Sequence, residues 1–345
     1  MKSKNTVKPS GITRRTFVWS AAAGALVAGV AARPKWAVSQ GTVAIRYISM
    51  HPQQLFWAKF YFELEKQAKE ITKGDLKIEW AGGPETMPPL QAPDAISKGV
   101  FDMCLSTFGF YGNAIPEGIG IQVEMASLKG LHESGAFAFM DEIHRKKLGV
   151  TILGLPSTGV GYGVFANKPI ATLEDFRGRK FRSLGLQVAM MKALGSATVA
   201  VAPAETYSAL ERGVVEGLTW PLVGVAEFRY HEIAKNLVRP PYYHSIVDHI
   251  MNAKKFDGLP KDIQGALLKA SAATDAWGYQ FTLKSAAEEL ETMKKAGLVE
   301  NHLPPADAKK FIEIAIGAAW EKITADSPDN GPKIRDLMKK AAAIA

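Results

Sequence analysis

The chain has 345 residues, with 42 lysines and arginines against 34 aspartates and glutamates, a formal net charge of +8. The excess is local: residues 1–40 hold seven basic and no acidic side chains, which leaves 35 basic against 34 acidic in the rest. That balance removes the basic face a nucleic-acid surface needs, and a single cysteine, Cys104, excludes an internal disulfide and any cysteine-based metal or haem site.

In chain order, Arg14-Arg15 comes first, within Thr13-Arg14-Arg15-Thr16-Phe17-Val18. An apolar stretch from Phe17 to Ala32 and the small residues Ala37-Val38-Ser39 follow. A positive region, an apolar stretch and a small-residue cleavage site read as an export signal over residues 1–39, and the paired arginines point to the twin-arginine route. Arg33 ends the stretch before it spans a bilayer comfortably; the other reading is an N-terminal membrane anchor. The working protein is therefore expected in the periplasm, folding from about Gln40. The remaining chain exceeds what one hydrophobic core usually serves, so two domains are expected. Cys104 reads as a small buried hydrophobe.

Thr42–Ile48 reads as a strand, Leu55–Ile71 as an amphipathic helix and Asp75–Trp80 as a second strand. A loop from Gly82 to Pro89 leads to a helix ending near Lys98, then a short apolar strand at Phe101–Leu105. This β-α-β-α-β opening predicts an open α/β sheet with helical crossovers. A helix at His132–Lys147, a strand at Thr151–Leu155 and a turn at Gly159-Val160-Gly161-Tyr162-Gly163 come next. A second unit has strands at Lys180–Arg182, Thr198–Val201 and Glu216–Thr219, with helices at Gln187–Leu194 and Pro203–Arg212 between them. Ser245–Asn252 reads as a strand returning to the first sheet, Lys261–Ala296 as an unusually long helix, and Pro305–Ile323 and Lys333–Ala343 as closing helices.

The Gly159-x-Gly161-x-Gly163 run lacks the spacing and the Lys-Ser/Thr of a phosphate loop, and no HExxH, no GxSxG and no Cys/His cluster is present. His244 and His249, five apart around Asp248, make a poor metal site. His249, near the end of a strand entering a cleft, reads either as a ligand donor or as an ordinary satisfied histidine.

The most informative segment is Leu173-Glu174-Asp175-Phe176-Arg177-Gly178-Arg179-Lys180-Phe181-Arg182, then Ala193-Leu194-Gly195, then Glu205-Thr206-Tyr207-Ser208-Ala209-Leu210 through Gly213-Val214-Val215-Glu216-Gly217. It resembles the DctP-type solute-binding proteins of tripartite ATP-independent periplasmic (TRAP) transporters. The likeness extends to Gly82–Met103, to Asn167-Lys168-Pro169-Ile170 and to the helical tail. It implies an α/β, two-lobed periplasmic binding protein fold, type II-like, with hinge strands and a long inter-lobe helix. Residues 40–160 and 248–290 are expected in lobe I, and 161–247 and 291–345 in lobe II. It also implies that the protein catches a small organic acid and passes it to integral membrane TRAP permease subunits, as a monomer or dimer and without a cofactor.

The resemblance makes Arg182 the carboxylate-binding arginine; a guanidinium is a planar, permanently charged fork matched to a carboxylate. The competing reading pairs Arg182 with a neighbour such as Glu174. Arg177, Arg179 and Lys180 are expected in solvent. Trp220 stands where many members carry a ligand-binding asparagine, and Thr219-Trp220 replaces the Glu-Trp that holds a metal ion in keto-acid binders, so no metal is expected. Tyr162 occupies the place of a second arginine. Two aromatics in those places predict a monocarboxylate with an apolar or aromatic body, unless both are packing residues. Thr107 and Phe108 after a first-lobe strand, and Pro203 before Tyr207, match pocket-lining positions. His51 and Glu85 sit in loops that either face the cleft or stay solvated. The expected ligand contacts are therefore Arg182, Trp220, Tyr162, Phe108, Thr107, Pro203, His249, Glu85 and His51. Tyr207, Trp277 and Tyr279 are expected in the core. An exported enzyme and a ligand-sensing receptor of the same fold are the competing functions; no nucleophile–base arrangement or paired catalytic carboxylates favour the enzyme.

Overall fold

The computed structural model describes residues 42–344; the export signal read over residues 1–39 lies outside them. Among the described residues the strands are β1 (Val43–Ser49), β2 (Leu76–Gly82), β3 (Met103–Ser106), β4 (Val150–Ala166), β5 (Lys180–Arg182), β6 (Ala197–Val199), β7 (Gly217–Pro221), β8 (Asn236–Asn252) and β9 (Val299–His302). They form one mixed sheet in the order β2-β1-β3-β8-β4-β7-β5-β6, with β9 beside β8. Strand β1 is parallel to β2 and β3, a pairing that needs crossovers. Helix Lys59–Thr72 supplies the first and buries Phe60, Leu64 and Ala68, spaced four apart, against the sheet. On the other side β5 is parallel to β6 and β7.

These two parallel groups hang on one long antiparallel pair. Strands β4 and β8 have 17 residues each and run together from Val150↔Asn252 to Ala166↔Asn236. The result is a two-lobed α/β fold in which both lobes share the same two strands.

The turn expected at Gly159–Gly163 is absent: β4 passes straight through it, and β8 begins at Asn236 rather than Ser245. The β4–β8 register shifts at five places between Ile152 and Val164, so the pair bends through bulges instead of breaking. Gly159 sits at one shift with φ +91°, and a Cβ there would lie 2.6 Å from the Tyr279 ring. The helix expected at 132–147 is two helices, Leu128–Glu133 and Ala136–Leu148, separated at Gly135. Strand β9 has no counterpart in the sequence reading.

The long helix forms as expected, Lys261–Lys295, and crosses β4 so closely that a Cβ on Gly278 would meet the Pro156 carbonyl oxygen at 1.9 Å. Trp277 and Phe281, four residues apart, stack at 4.6 Å on its inner face. Tyr279 lies round the helix from them and is 39% exposed, not in the core. Tyr207 is likewise half-buried, its hydroxyl donating to Glu232 at 3.2 Å. Cys104 is fully buried among apolar side chains.

Helix Pro305–Asp326 packs on helix Leu186–Ala193, whereas the last helix, Gly331–Ala342, packs on Leu128–Glu133 and Ala136–Leu148, which precede β4. Fully buried Glu117 fastens this tail. It pairs with Lys147 at 2.7 Å and accepts from Ser327 Oγ and Asn330 Nδ2. Burial opposes its ionisation, yet these donors hold the carboxyl at about 2. No described helix is long and apolar enough to cross a membrane.

Candidate functional site

A cavity of about 610 Å³, counted out to its open mouth, lies where the two halves of the sheet meet. Arg182 is in its wall, and the surrounding sequence explains how it gets there. Asp175 and Thr172 form a capping box at the start of the Leu173–Phe176 turn. Phe176 and Phe181 are fully buried, their tilted rings 6.0 Å apart. Gly178 takes φ +75° and its N–H is held by the Gly195 carbonyl at 2.9 Å. Glu216 accepts from the Lys180 N–H, and β5 pairs with β6 and β7. Side chains alternate along β5, so Phe181 enters the core while Arg182 emerges on the other face at the cavity end.

Arg182 is only 5% exposed. Its Nε donates to the Val201 carbonyl at 3.1 Å, and its guanidinium lies 4.9 Å from the centre of the Trp220 ring. Burial pulls its pKa down to about 10, and neighbouring Tyr230 and Tyr162 favour its charge. It therefore remains a cation at neutral pH. Among the described residues no carboxylate pairs with it. Glu174, the alternative partner, pairs with Arg177 at 2.5 Å instead. Arg179 is not solvated as expected: it bonds Asn167 at 3.0 Å and lies 3.7 Å from Glu216.

Trp220, Tyr162, Thr107, Pro203 and His51 join Arg182 in the cavity wall. The Trp220 ring meets Tyr230 and Phe228 edge-on at 5.1 and 5.5 Å, and its indole nitrogen has no partner. The Thr107 hydroxyl donates to the Ile246 carbonyl, which leaves it an acceptor. His51 stacks on Trp57 at 5.6 Å; burial, assisted by the positive charge of Arg182, lowers its pKa to about 3 and keeps it neutral.

Three expected contacts lie elsewhere. Phe108 is fully buried, edge-on to His144 at 5.7 Å, because the helix Phe108–Tyr111 turns residues 108 and 111 inward and presents Gly109 and Phe110 to the cavity. His249 follows Ser245 and Val247 along one face of β8, but lies past the cavity's end beneath Tyr47, its ring nitrogens unpartnered and its pKa held by burial at about 3. Glu85 is exposed and spends its carboxylate on the Gly83 N–H at 2.6 Å, closing its own loop.

The sequence reading missed Trp57, Gln122, Gln187 and Ser245, all in the wall. A weak signal existed for two: Gln122 and Gln187 are lone polar residues in apolar runs, Ile119-Gly120-Ile121-Gln122-Val123 and Leu186-Gln187-Val188-Ala189-Met190. Beside Trp57 in the sequence, the Phe56 N–H donates to both oxygens of the Glu227 carboxylate at 2.9 Å, tying the segment after β7 to the start of the Lys59–Thr72 helix. Among the described residues no three His, Cys, Asp or Glu side chains converge as a metal site requires.

The profile of the bacterial extracellular solute-binding proteins, family 7 (DctP), matches residues 49–326. The chain belongs to that family. This family 7 protein is 26% identical to the C4-dicarboxylate-binding periplasmic protein DctP of Rhodobacter capsulatus over 267 residues, 76% of this chain and 78% of that one. It is also 26% identical to a solute-binding protein of Sulfitobacter sp. over 166 residues, spanning about half the length of that relative (50%) and 48% of this chain. In three dimensions it is similar to a TRAP periplasmic solute-binding protein of Desulfovibrio salexigens crystallised with orotic acid. That match has a TM-score of 0.80 at 19% identity, over 87% of this chain and 98% of the other.

Proposed function

We propose that this family 7 protein is the ligand-capturing subunit of a TRAP transporter. It holds an organic monocarboxylate between its lobes by a salt bridge from Arg182 and hands it to membrane permease subunits. The observation that carries this reading is a buried guanidinium, still charged at neutral pH, with its donors open to a cavity and no protein carboxylate to neutralise it. An uncompensated buried cation is costly, and an anionic ligand repays the cost. Among the described residues Arg182 is the single formal charge in the wall, since His51 is neutral, so one negative charge balances the site and two leave it unbalanced. Trp220, Trp57 and Phe110 supply flat apolar surface for the body of the acid. Closure about the shared β4–β8 pair expels water and strengthens the salt bridge. Export by the twin-arginine route and work in the periplasm complete the proposal.

A thermal-shift screen against aliphatic, keto, aromatic and sugar acids tests it, paired with small-angle scattering. Monocarboxylates are expected to raise the melting temperature and compact the particle, with no turnover of the acid. An Arg182-independent shift, or none with any carboxylate, rejects the reading.

A further inference from the structure

Beyond the guanidinium, the cavity contains a set of neutral polar side chains that no motif points to. Gln122, Ser245 and Gln187 are 3%, 1% and 7% exposed, and all three line the cavity. They come from separate parts of the fold. Gln122 follows the helix Pro116–Gly120, Gln187 is on the helix Leu186–Ala193, and Ser245 is on β8. All three share that cavity wall with Tyr162 of β4 and lie close enough to its hydroxyl to favour its ionised form. Gln122 is tied down from behind: its carbonyl accepts the His244 N–H at 2.6 Å, and its amide nitrogen lies 3.4 Å from the Ile246 carbonyl.

The chemistry of this cluster is specific. A carboxamide carries two donors and an acceptor, and a tyrosine hydroxyl carries one donor and two acceptor sites. Two carboxamides, a phenol and a serine around one point offer both kinds of partner and no charge. The two indole N–H groups of the wall, Trp57 and Trp220, are buried donors without acceptors, and they approach one place: a Cβ on Gly224 would lie 3.0 Å from the first and 3.7 Å from the second. A wholly apolar ligand covers the carboxamides, the phenol and the serine and satisfies none of these groups, at the cost of unpaired buried polar atoms. A second carboxylate finds no counter-charge, because among the described residues Arg182 is the one cation of the wall.

We propose that Gln122, Gln187 and Tyr162 form a neutral recognition pole that reads an uncharged carbonyl, hydroxyl or amide on the acid held by Arg182 and discriminates against a second carboxylate. The proposal rests on the monocarboxylate reading above and sharpens it: the acid is polar at a second point, not merely apolar in its body. Gln122 and Gln187 come to Tyr162 from opposite sides of β4 in sequence, so the pole is complete only while the parts that carry them stand together.

Matched acids test it. Benzoate, its 3- and 4-hydroxy and 3- and 4-carbamoyl derivatives, and the corresponding benzenedicarboxylates share one ring; propionate, lactate, pyruvate and malonate repeat the comparison at small size. Binding is followed by tryptophan fluorescence and calorimetry on the mature chain, with Gln122→Met, Gln187→Met and Tyr162→Phe. The last removes a single oxygen and keeps the ring, so it remains informative if a glutamine variant folds poorly. In at least one series the neutral polar acid is expected to bind about tenfold to a hundredfold more tightly than its parent. Each substitution is expected to erase most of that preference, so that the polar acid and its parent then bind within about threefold of each other. Equal affinity for parent and polar acid, or a dicarboxylate bound as well as the neutral derivative, overturns the pole but leaves the Arg182 reading standing. If no acid binds, or binding survives Arg182→Met, the carboxylate reading fails and the pole falls with it.

Discussion

Replacing Arg182 by methionine separates a ligand-binding cation from a structural one, because the two roles predict opposite changes in stability. Burial lowers the pKa of Arg182 from 12.5 to about 10. At neutral pH, below both values, the side chain keeps its charge and the folded state bears the full cost, roughly 3 kcal/mol at 1.36 kcal/mol per pH unit. Methionine removes that cost and keeps most of the side-chain volume. It also strips the Val201 carbonyl of its donor, which costs about 1–3 kcal/mol. The two effects roughly cancel, so ligand-free Arg182→Met is expected to be as stable as the wild type or up to about 2 kcal/mol more stable. Binding behaves differently. A carboxylate left in the cavity without its partner loses about 3–5 kcal/mol, a factor of roughly 10² to 10³ or more in affinity. Denaturant unfolding without ligand and calorimetry with the best acid of the screen read the two quantities independently. A variant destabilised by several kcal/mol makes Arg182 a structural cation, and unaltered affinity removes it from the site.

Glu227→Ala removes no side chain of the cavity wall but deletes the link from the segment after β7 to the Phe56 N–H; affinity is expected to fall about threefold to tenfold, mainly through faster release in stopped-flow traces. An unchanged release rate shows that the link does not hold the lobes together. Glu117→Gln leaves Lys147 without its counter-charge and loosens the tail held through Ser327 and Asn330; about 2–4 kcal/mol of stability is expected to go, less than for a fully buried pair because Lys147 is one-third exposed. Urea midpoints within 0.5 kcal/mol of wild type contradict this. Stability should also depend on pH. Burial holds His51 and His249 near 3 and His144 and His244 near 4, so the unfolded chain takes up protons below about 6.5 that the folded protein refuses, and stability is lost as pH falls. Buried Asp248 and Asp275, raised to about 7, act in the opposite sense and gain stability over the same range. For these six groups the net proton uptake on unfolding grows from near zero at pH 7 towards two protons at pH 5, where the loss approaches roughly 2.7 kcal/mol per unit. Denaturation at pH 7, 6 and 5 is expected to show that slope and Asp248→Asn to steepen it; a flat profile refutes the balance.

Much of the fold was legible locally. The crossover helix Lys59–Thr72, the long helix Lys261–Lys295 and the helix Pro203–Glu211 with its N-terminal proline carry their own periodicity, start signals and length. Strand β5 was legible too, and with it the placement of Arg182 at the end of a strand, because Phe181 and Arg182 alternate across a short pleat. Glycine was the weak point. The run Gly159–Gly163 has the composition of a turn, yet it lies inside a 17-residue strand, since a bent antiparallel pair under a close-packed helix needs glycine for the same steric reason a turn does.

By itself, then, the chain specified an α/β pattern, the motif that carries the family resemblance and an arginine at the end of a short strand. Tertiary packing decided the rest. It chose Phe110 over Phe108 for the cavity by starting a helical turn after Thr107, left His249 outside the cavity wall, and brought Gln122, Gln187 and Ser245 into one wall with Tyr162 from distant segments. Local sequence encodes which face of a strand or helix a residue takes. Which faces meet across a cleft depends on how two shared strands bend, and that is settled by bulges and contacts far apart along the chain.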